Sequence, residues 1–501
     1  MIYLLILKAK YILMKRRFFG FTIIIFIAFL GFIISQSSCK KDDSLYTDGD
    51  LRFSSDTVMF DTVFTQIGST TRLFKIYNKH NQTVKINNIN LAGGSSSFFR
   101  INIDGVPSLS ESNIEIPAND SLFIFVKVTI DPTSVNSPFV VSDSIIFTTD
   151  NGTQKVQLVA WGQNAYYHVP DQFFENFPPY SLIACNSTWI DDKPHVIYGY
   201  AVVDENCTLT IEQGTRVHFH NNGVLWVYNG GTLIVNGTKE KQVTFQGDRL
   251  EQSYKDIPGQ WGKIWLSAGS KNNVINHAII KNGFIGLQVD TLGNSSNPTL
   301  KIDNTIIQNM SGAGILAQGS KIDATNLLIT NCSQYAVALT IGGTYNFRHC
   351  TIGNYWSYST RKTPSLILNN YYKDVNENYI VRPLTNAYFG NCIIYGNNSD
   401  SEELSRDSFP VAGAFNYKFE NCLIKTIVNT SNVNYFLNCL INQDPLFNDY
   451  ANNKYDLSNG SPAIDVGNAS ISFLPTPILK DLNGINDRIL GPAPDLGAYE
   501  K

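Results

Sequence analysis

The chain has 501 residues, of which 43% are hydrophobic and only 16% charged, with a formal net charge of −4. That length allows two or three domains, and that apolar content rules out a disordered chain. The absence of a basic balance removes nucleic acid as the expected partner. Asn, Gly, Thr and Tyr are abundant and helix-period patterns are scarce after residue 40, so strands and turns are expected.

Residues 14–34 read MKRRFFGFTIIIFIAFLGFII, with Lys15, Arg16 and Arg17 ahead of an apolar run from Phe18 to Ile34. Ser35, Gln36, Ser37 and Ser38 then lead to Cys39. A basic start, an apolar centre and small residues before a cleavage point describe a secretory signal over 1–38, with Met14 as the expected translated start. The run also sits at the lower edge of a spanning helix, so an uncleaved anchor is the alternative. The small-small-Cys ending resembles the lipobox of bacterial lipoproteins, although Gln36 stands where that family usually carries an apolar residue. The resemblance implies lipidation of Cys39 and stable membrane attachment through its acyl chains, with 39–50 as a tether. Lys40, Lys41, Asp42 and Asp43 resemble the surface-export signal of some Gram-negative lipoproteins, which implies an outer-membrane protein facing the medium. A plain solvated charge run is the alternative.

From residue 51 to about 165, short runs alternate apolar and polar residues: 56–64, 72–78, 84–91, 121–130, 142–149 and 155–162. Period-two alternation broken by Gly, Asn, Asp and Pro predicts antiparallel strands, and this many in so short a span predicts a β-sandwich. The segments at 78–84, 97–101 and 117–121 and the closing VQLVAWGQ resemble ASH-type immunoglobulin-like domains. The resemblance implies a spacer or binding module.

The stretch FENCLI (419–424) has relatives starting at residues 275, 302, 324, 347, 389, 419 and 436. Spacings of this order, with one apolar strand per copy and no helix between, predict a parallel β-helix over 166–442. The third position of each copy is His277, Asn304, Asn326, His349, Asn391, Asn421 and Asn438. The fourth runs Ala278, Thr305, Leu327, Cys350, Cys392, Cys422 and Cys439. The sixth is Ile in every copy, and the last four copies start with Phe347, Phe389, Phe419 and Phe436. Stacked rungs place like residues on like. The Ile column is therefore expected in the core, the Asn column at a left-handed turn, and the Cys column as small buried packing. Cys185 and Cys207 are the candidate disulfide for an exported protein. The stretches CTLTIEQGTRVHF (207–219) and GQWGKIWLS (259–267) resemble the opening rungs of pectate-lyase-like proteins, which implies a right-handed helix. The expected class is all-β: a sandwich followed by this solenoid.

The end of the chain carries DPLF (444–447), SPAIDVG (461–467) and DLNGINDRILGPAPDLGAY (481–499). This set resembles the terminal region of bacterial choice-of-anchor Q proteins. Region 443–501 is expected to cap the open end of the helix, tied by Asp465, Asp481, Arg488 and Asp495. That the chain stops at Lys501, with no sorting segment after this region, suits anchoring through Cys39. No cofactor is expected. Ca²⁺ is possible, with Asp481, Asn483 and Asp487 as weak candidate ligands.

An insertion at 355–388 concentrates Tyr355, Trp356, Tyr358, Arg361, Tyr371, Tyr372, Asp374 and Arg382. Aromatic faces beside Arg and Asp suit sugar rings, and loops on a repeat scaffold commonly carry sites. Packing of these aromatics against the helix wall is the alternative. No catalytic set is legible: the second-position column shows Asp303, Arg348 and Glu420 but no adjacent acidic pair. The favoured expectation is a surface protein binding a polysaccharide or matrix glycan without turnover. A polysaccharide lyase or glycoside hydrolase, and a purely structural module, are the alternatives.

Overall fold

The structure, a computed structural model, describes residues 45–46, 51–66, 68–132, 139–291, 297–398, 400, 402–410 and 415–501. The signal segment, the lipidation residue Cys39 and most of the tether lie outside the described residues. The chain divides into two compact units. One is built from the N-terminal strands, and the other comprises 160–501 with the short pieces 60–69 and 129–141.

The N-terminal strands form a six-stranded and a five-stranded sheet. The expected strands appear as Thr57–Phe64, Arg72–Tyr77, Thr83–Leu91, Ser121–Val128, Phe139–Thr149 and Gly152–Gln163. Phe99–Ile103 and Ser110–Ile116 are two further strands of this region. Alternation buries one side of each strand: Leu122, Ile124, Val126 and Val128 are buried along a single strand.

In the second unit, 26 strands pair in one continuous path, each with the strand one rung onward in parallel. The fold is a right-handed parallel β-helix. Each rung turns through three sheets. The first holds Asn273–Asn276, Gly343–Arg348 and Leu384–Gly390, and the second holds Ala278–Lys281, Thr351–Asn354 and Ile393–Gly396. The third holds Trp261–Leu266, Gly283–Val289, Ala313–Gln318, Val337–Thr340 and Leu366–Asn369.

The columns behave as stacked residues should. His277, Asn304, Asn326, His349, Asn391, Asn421 and Asn438 all adopt positive φ between 49° and 52°, which makes the sharp corner between the first and second sheets. Phe347, Phe389, Phe419 and Phe436 stack with successive centroid separations of 5.1, 4.9 and 5.4 Å. Cys350, Cys392 and Cys422 are fully buried and free, as is Cys332, whereas Cys439 on the last rung is half-buried. Each ladder thiol donates to the carbonyl two residues before it, as Cys422 does to Glu420 at 3.4 Å. A thiol reagent on the native protein is therefore expected to label Cys439 slowly and the other four only after unfolding. Alkylation with peptide mass mapping reads this directly. Cys185 and Cys207 form a disulfide, at the same rung-to-rung offset as the pair Thr188 and Thr210.

The C-terminal region differs from the expected end cap. It forms a strap along the side of the helix, and none of its side chains joins the main core cluster. The reason is an apolar stripe on the outside of the second sheet. Leu328, Ile393 and Leu423 point outward and are covered by Phe447, Tyr455, Leu457, Leu482 and Leu496. Within the Asn column, Asn326 donates to Asn304 on the preceding rung at 2.9 Å. Several corner residues also bond to the strap: Asn421 to the Val466 carbonyl, Asn391 to Asn468, Asn326 to Lys480 and His349 to Ser472.

Arg488 anchors the strap from a buried position. It donates to Glu500 at 3.1 Å, to Asn326 at 2.7 Å and to the Ala498 carbonyl at 2.8 Å. Burial outweighs the Arg488 charge and raises the Glu500 carboxyl to about 8, and Asp495 is raised in the same way. A carboxyl raised on folding holds its proton in the folded state after the unfolded state has lost it. Its stabilising effect is complete below about pH 4.5, declines as pH rises, and is gone above about 8. Amide exchange at Leu496, Gly497 and Ala498, corrected for intrinsic rates, is expected to be faster at higher pH across that window. Equal protection at both ends would remove Glu500 as the cause.

Candidate functional site

The outer face of the third sheet carries an aromatic cleft on its first rungs. Tyr180–Leu182 pairs with Tyr200–Val202, Val202 pairs with Trp226, and Trp226 pairs with Trp265. Ala201, Val203, Leu225 and Val227 point into the core, so alternation sends Tyr200, Val202, Val224 and Trp226 outward. Trp226 and Trp265 stack at 4.8 Å with planes 11° apart. Trp265 is fixed by donating to Asp290 at 2.6 Å. Lys263 lies over the Trp265 ring at 4.5 Å and donates to Gln288.

The opposite wall is the segment 171–179, DQFFENFPP. Gln172 bridges to Tyr180 at its base, and Asn176 takes a left-handed turn at φ 69°. This holds Phe177 nearly parallel to Trp226, with centroids 6.5 Å apart, and Phe174 against Tyr180 at 6.1 Å. The cleft between the walls has a volume of about 630 Å³ and is also lined by Glu175, Asp204 and Tyr228. Phe173, Phe174 and Phe177 are at least half exposed, unusual for three phenylalanines on one loop. The indole N–H of Trp226 is buried and has no acceptor. Flat apolar faces with a few polar groups suit a ligand that is both stackable and hydroxylated.

A second, polar groove of about 470 Å³ lies on the first sheet, beneath strap residues 476–481. Lys301 pairs with Asp323 and Asp303 with Thr325 on neighbouring rungs, so Asp303 and Asp323 share one face. Their Cα atoms are roughly 8 Å apart by strand geometry. Burial raises the Asp303 carboxyl and the Asp323 charge raises it further, against the Thr325 hydroxyl and Lys301. The sequence columns missed this pair because Asp323 precedes the repeated motif. Buried Arg348 and Asp481 also line the groove, each with one atom, Nε and Oδ1, lacking a partner.

The candidate set at 355–388 is dispersed. Tyr355 stacks on Tyr450 at 4.1 Å inside the strap's apolar cluster. Trp356 is buried and donates to Ser359. Arg361 is buried in an ion pair with Glu403 at 2.7 Å. Tyr358 is exposed, with its hydroxyl on the Asp256 carbonyl. The rest belong to a small hairpin of Tyr371–Lys373 and Tyr379–Val381. Tyr371 donates to Asp407, Asp374 accepts from the Asn376 and Asn378 amides of its own turn, and Arg382 lies over Tyr372 and reaches Thr291. These aromatics do not converge on one pocket, because the insertion needs its own apolar cover.

The weak Ca²⁺ set does not converge either. Asp481 is buried and accepts from the Glu500 amide, whereas exposed Asp487 pairs with Lys480 at 2.7 Å. Among the described residues no group of three or more potential metal ligands occurs, and no helix is long and apolar enough to cross a membrane.

A family model described as right handed beta helix region matches residues 195–352. No curated protein sequence matches the chain. Three solved structures are similar in part. The catalytic unit of a thermostable GH87 α-1,3-glucanase from Streptomyces thermodiastaticus shares 11% identity, covering 70% of this chain and 74% of that one, with a TM-score of 0.26. A family 123 glycoside hydrolase from Clostridium perfringens, which hydrolyses glycolipid glycans, shares 10% identity at a TM-score of 0.17, covering 24% of this chain and 31% of its own. The ASH/PapD-like domain 7 of human CEP192 shares 10% identity at a TM-score of 0.17, covering 26% of this chain and 94% of its own. Strand topology and the matched region make this a right-handed parallel β-helix protein.

Proposed function

We propose that the protein is an exported surface protein, lipid-anchored at Cys39, that binds a glycan in the aromatic cleft without turning it over. The observation carrying the binding reading is the outward Trp226–Trp265 stack facing Phe177 across an open cleft, with Glu175 and Asp204 beside it. Sugar rings offer apolar C–H faces to such walls and hydroxyls to such carboxylates. The anchor rests on the sequence before and at Cys39, and nucleic acid is not a partner in this reading. Full-length protein, incubated with plant, algal and host polysaccharides with and without Ca²⁺, is expected to be retained and to release no products. Lack of retention by every polysaccharide would end the binding reading. Cys39→Ala is expected to release the protein from the membrane fraction, and persistence there would make 18–34 the anchor.

One observation favours a second reading, hydrolysis. Asp303, with its raised carboxyl, and Asp323 occupy neighbouring rungs and line one groove under the strap, and glycoside hydrolysis uses two carboxyl groups. New reducing ends in the same assay, abolished by Asp303→Asn, would establish it in place of binding without turnover.

A further inference from the structure

Building on the cleft reading, we infer that the preferred ligand is an ammonium-bearing saccharide, an amino-sugar chain, and that uronate chains are disfavoured. Apart from tyrosines, the ionisable side chains lining the cleft are Glu175 and Asp204; no Lys, Arg or His lines it. Lys263, beside the Trp226–Trp265 stack, is held over Trp265 and bonded to Gln288. An ammonium group entering the cleft meets two carboxylates and the π-faces of Trp226, Tyr228 and Phe177, and aromatic faces attract cations. A uronate entering the same space meets only like charge. Both carboxylates are exposed, so the preference is screened by salt.

The test is titration calorimetry of the full-length protein with oligomers of equal length built from glucosamine, N-acetylglucosamine or galacturonate. Affinity is expected to fall in that order, with glucosamine ahead of N-acetylglucosamine by on the order of tenfold at low salt. The gap should close in concentrated NaCl and in the double variant Glu175→Gln, Asp204→Asn. These residues are on the surface, so the variant's thermal unfolding is expected to match the parent. Equal affinity for the three oligomers, or preference for galacturonate, would overturn the charge inference and leave glycan binding standing. Binding of none would overturn the cleft reading itself.

Discussion

Arg361→Ala is expected to destabilise the β-helix by about 3–5 kcal/mol, the usual cost of breaking a buried ion pair from one side. The Arg361 and Glu403 side chains are 1% and 0% exposed. Glu403 accepts from Arg361 at 2.7 and 2.9 Å, from the Asn398 amide, and from both the amide and hydroxyl of Ser365. Truncating the arginine leaves a buried carboxylate with its remaining donors but no compensating charge. Arg361 also donates to the Asn354 carbonyl, so the variant loosens the start of the insertion. Denaturant unfolding followed by tryptophan fluorescence reads the loss. A change below about 1 kcal/mol would show that water reaches the pair, as it does in surface ion pairs. Glycan retention by the folded fraction is expected to persist, because Arg361 lines neither the aromatic cleft nor the polar groove.

Trp226→Ala is expected to show the opposite separation. It should lower affinity for a retained glycan by at least about tenfold, the loss common for a buried aromatic anchor in a binding site. It removes the partner of Trp265 and the ring facing Phe177 together. Trp261→Ala is the matched control. Trp261 is fully buried in the core, stacked on Phe219 at 4.1 Å, and its loss is expected to cost about 3–5 kcal/mol of stability. Unchanged affinity in Trp226→Ala, with folding intact, would move the site elsewhere on the helix.

Trp261 and Trp265 show where sequence reasoning stops. Both lie in GQWGKIWLS, four residues apart, and strict strand alternation puts them on the same face. Alternation breaks between Trp261 and Ile264, which both face the core, and this leaves Trp265 facing outward onto Trp226. The three phenylalanines of 171–179 are conspicuous in the sequence, but only the turn at Asn176 and the bridge at Gln172 fold them against the third sheet.

The sequence by itself determined the β-helix and most of its interior. A column of Ile, Cys, Asn or Phe repeats because each residue packs on its own kind one rung away, so a local pattern reports the packed state directly. The corner at His277 and its six successors and the burial of Cys422 both follow from that one-dimensional logic. Only the tertiary structure decided what lies on the outside of the helix. The strap, the Arg361–Glu403 pair and the far wall of the aromatic cleft join residues whose separations no period encodes. Core positions are fixed by repeating neighbours. Surface positions are fixed by whichever distant segment must cover exposed apolar area, and that is settled only when the chain has folded back on itself.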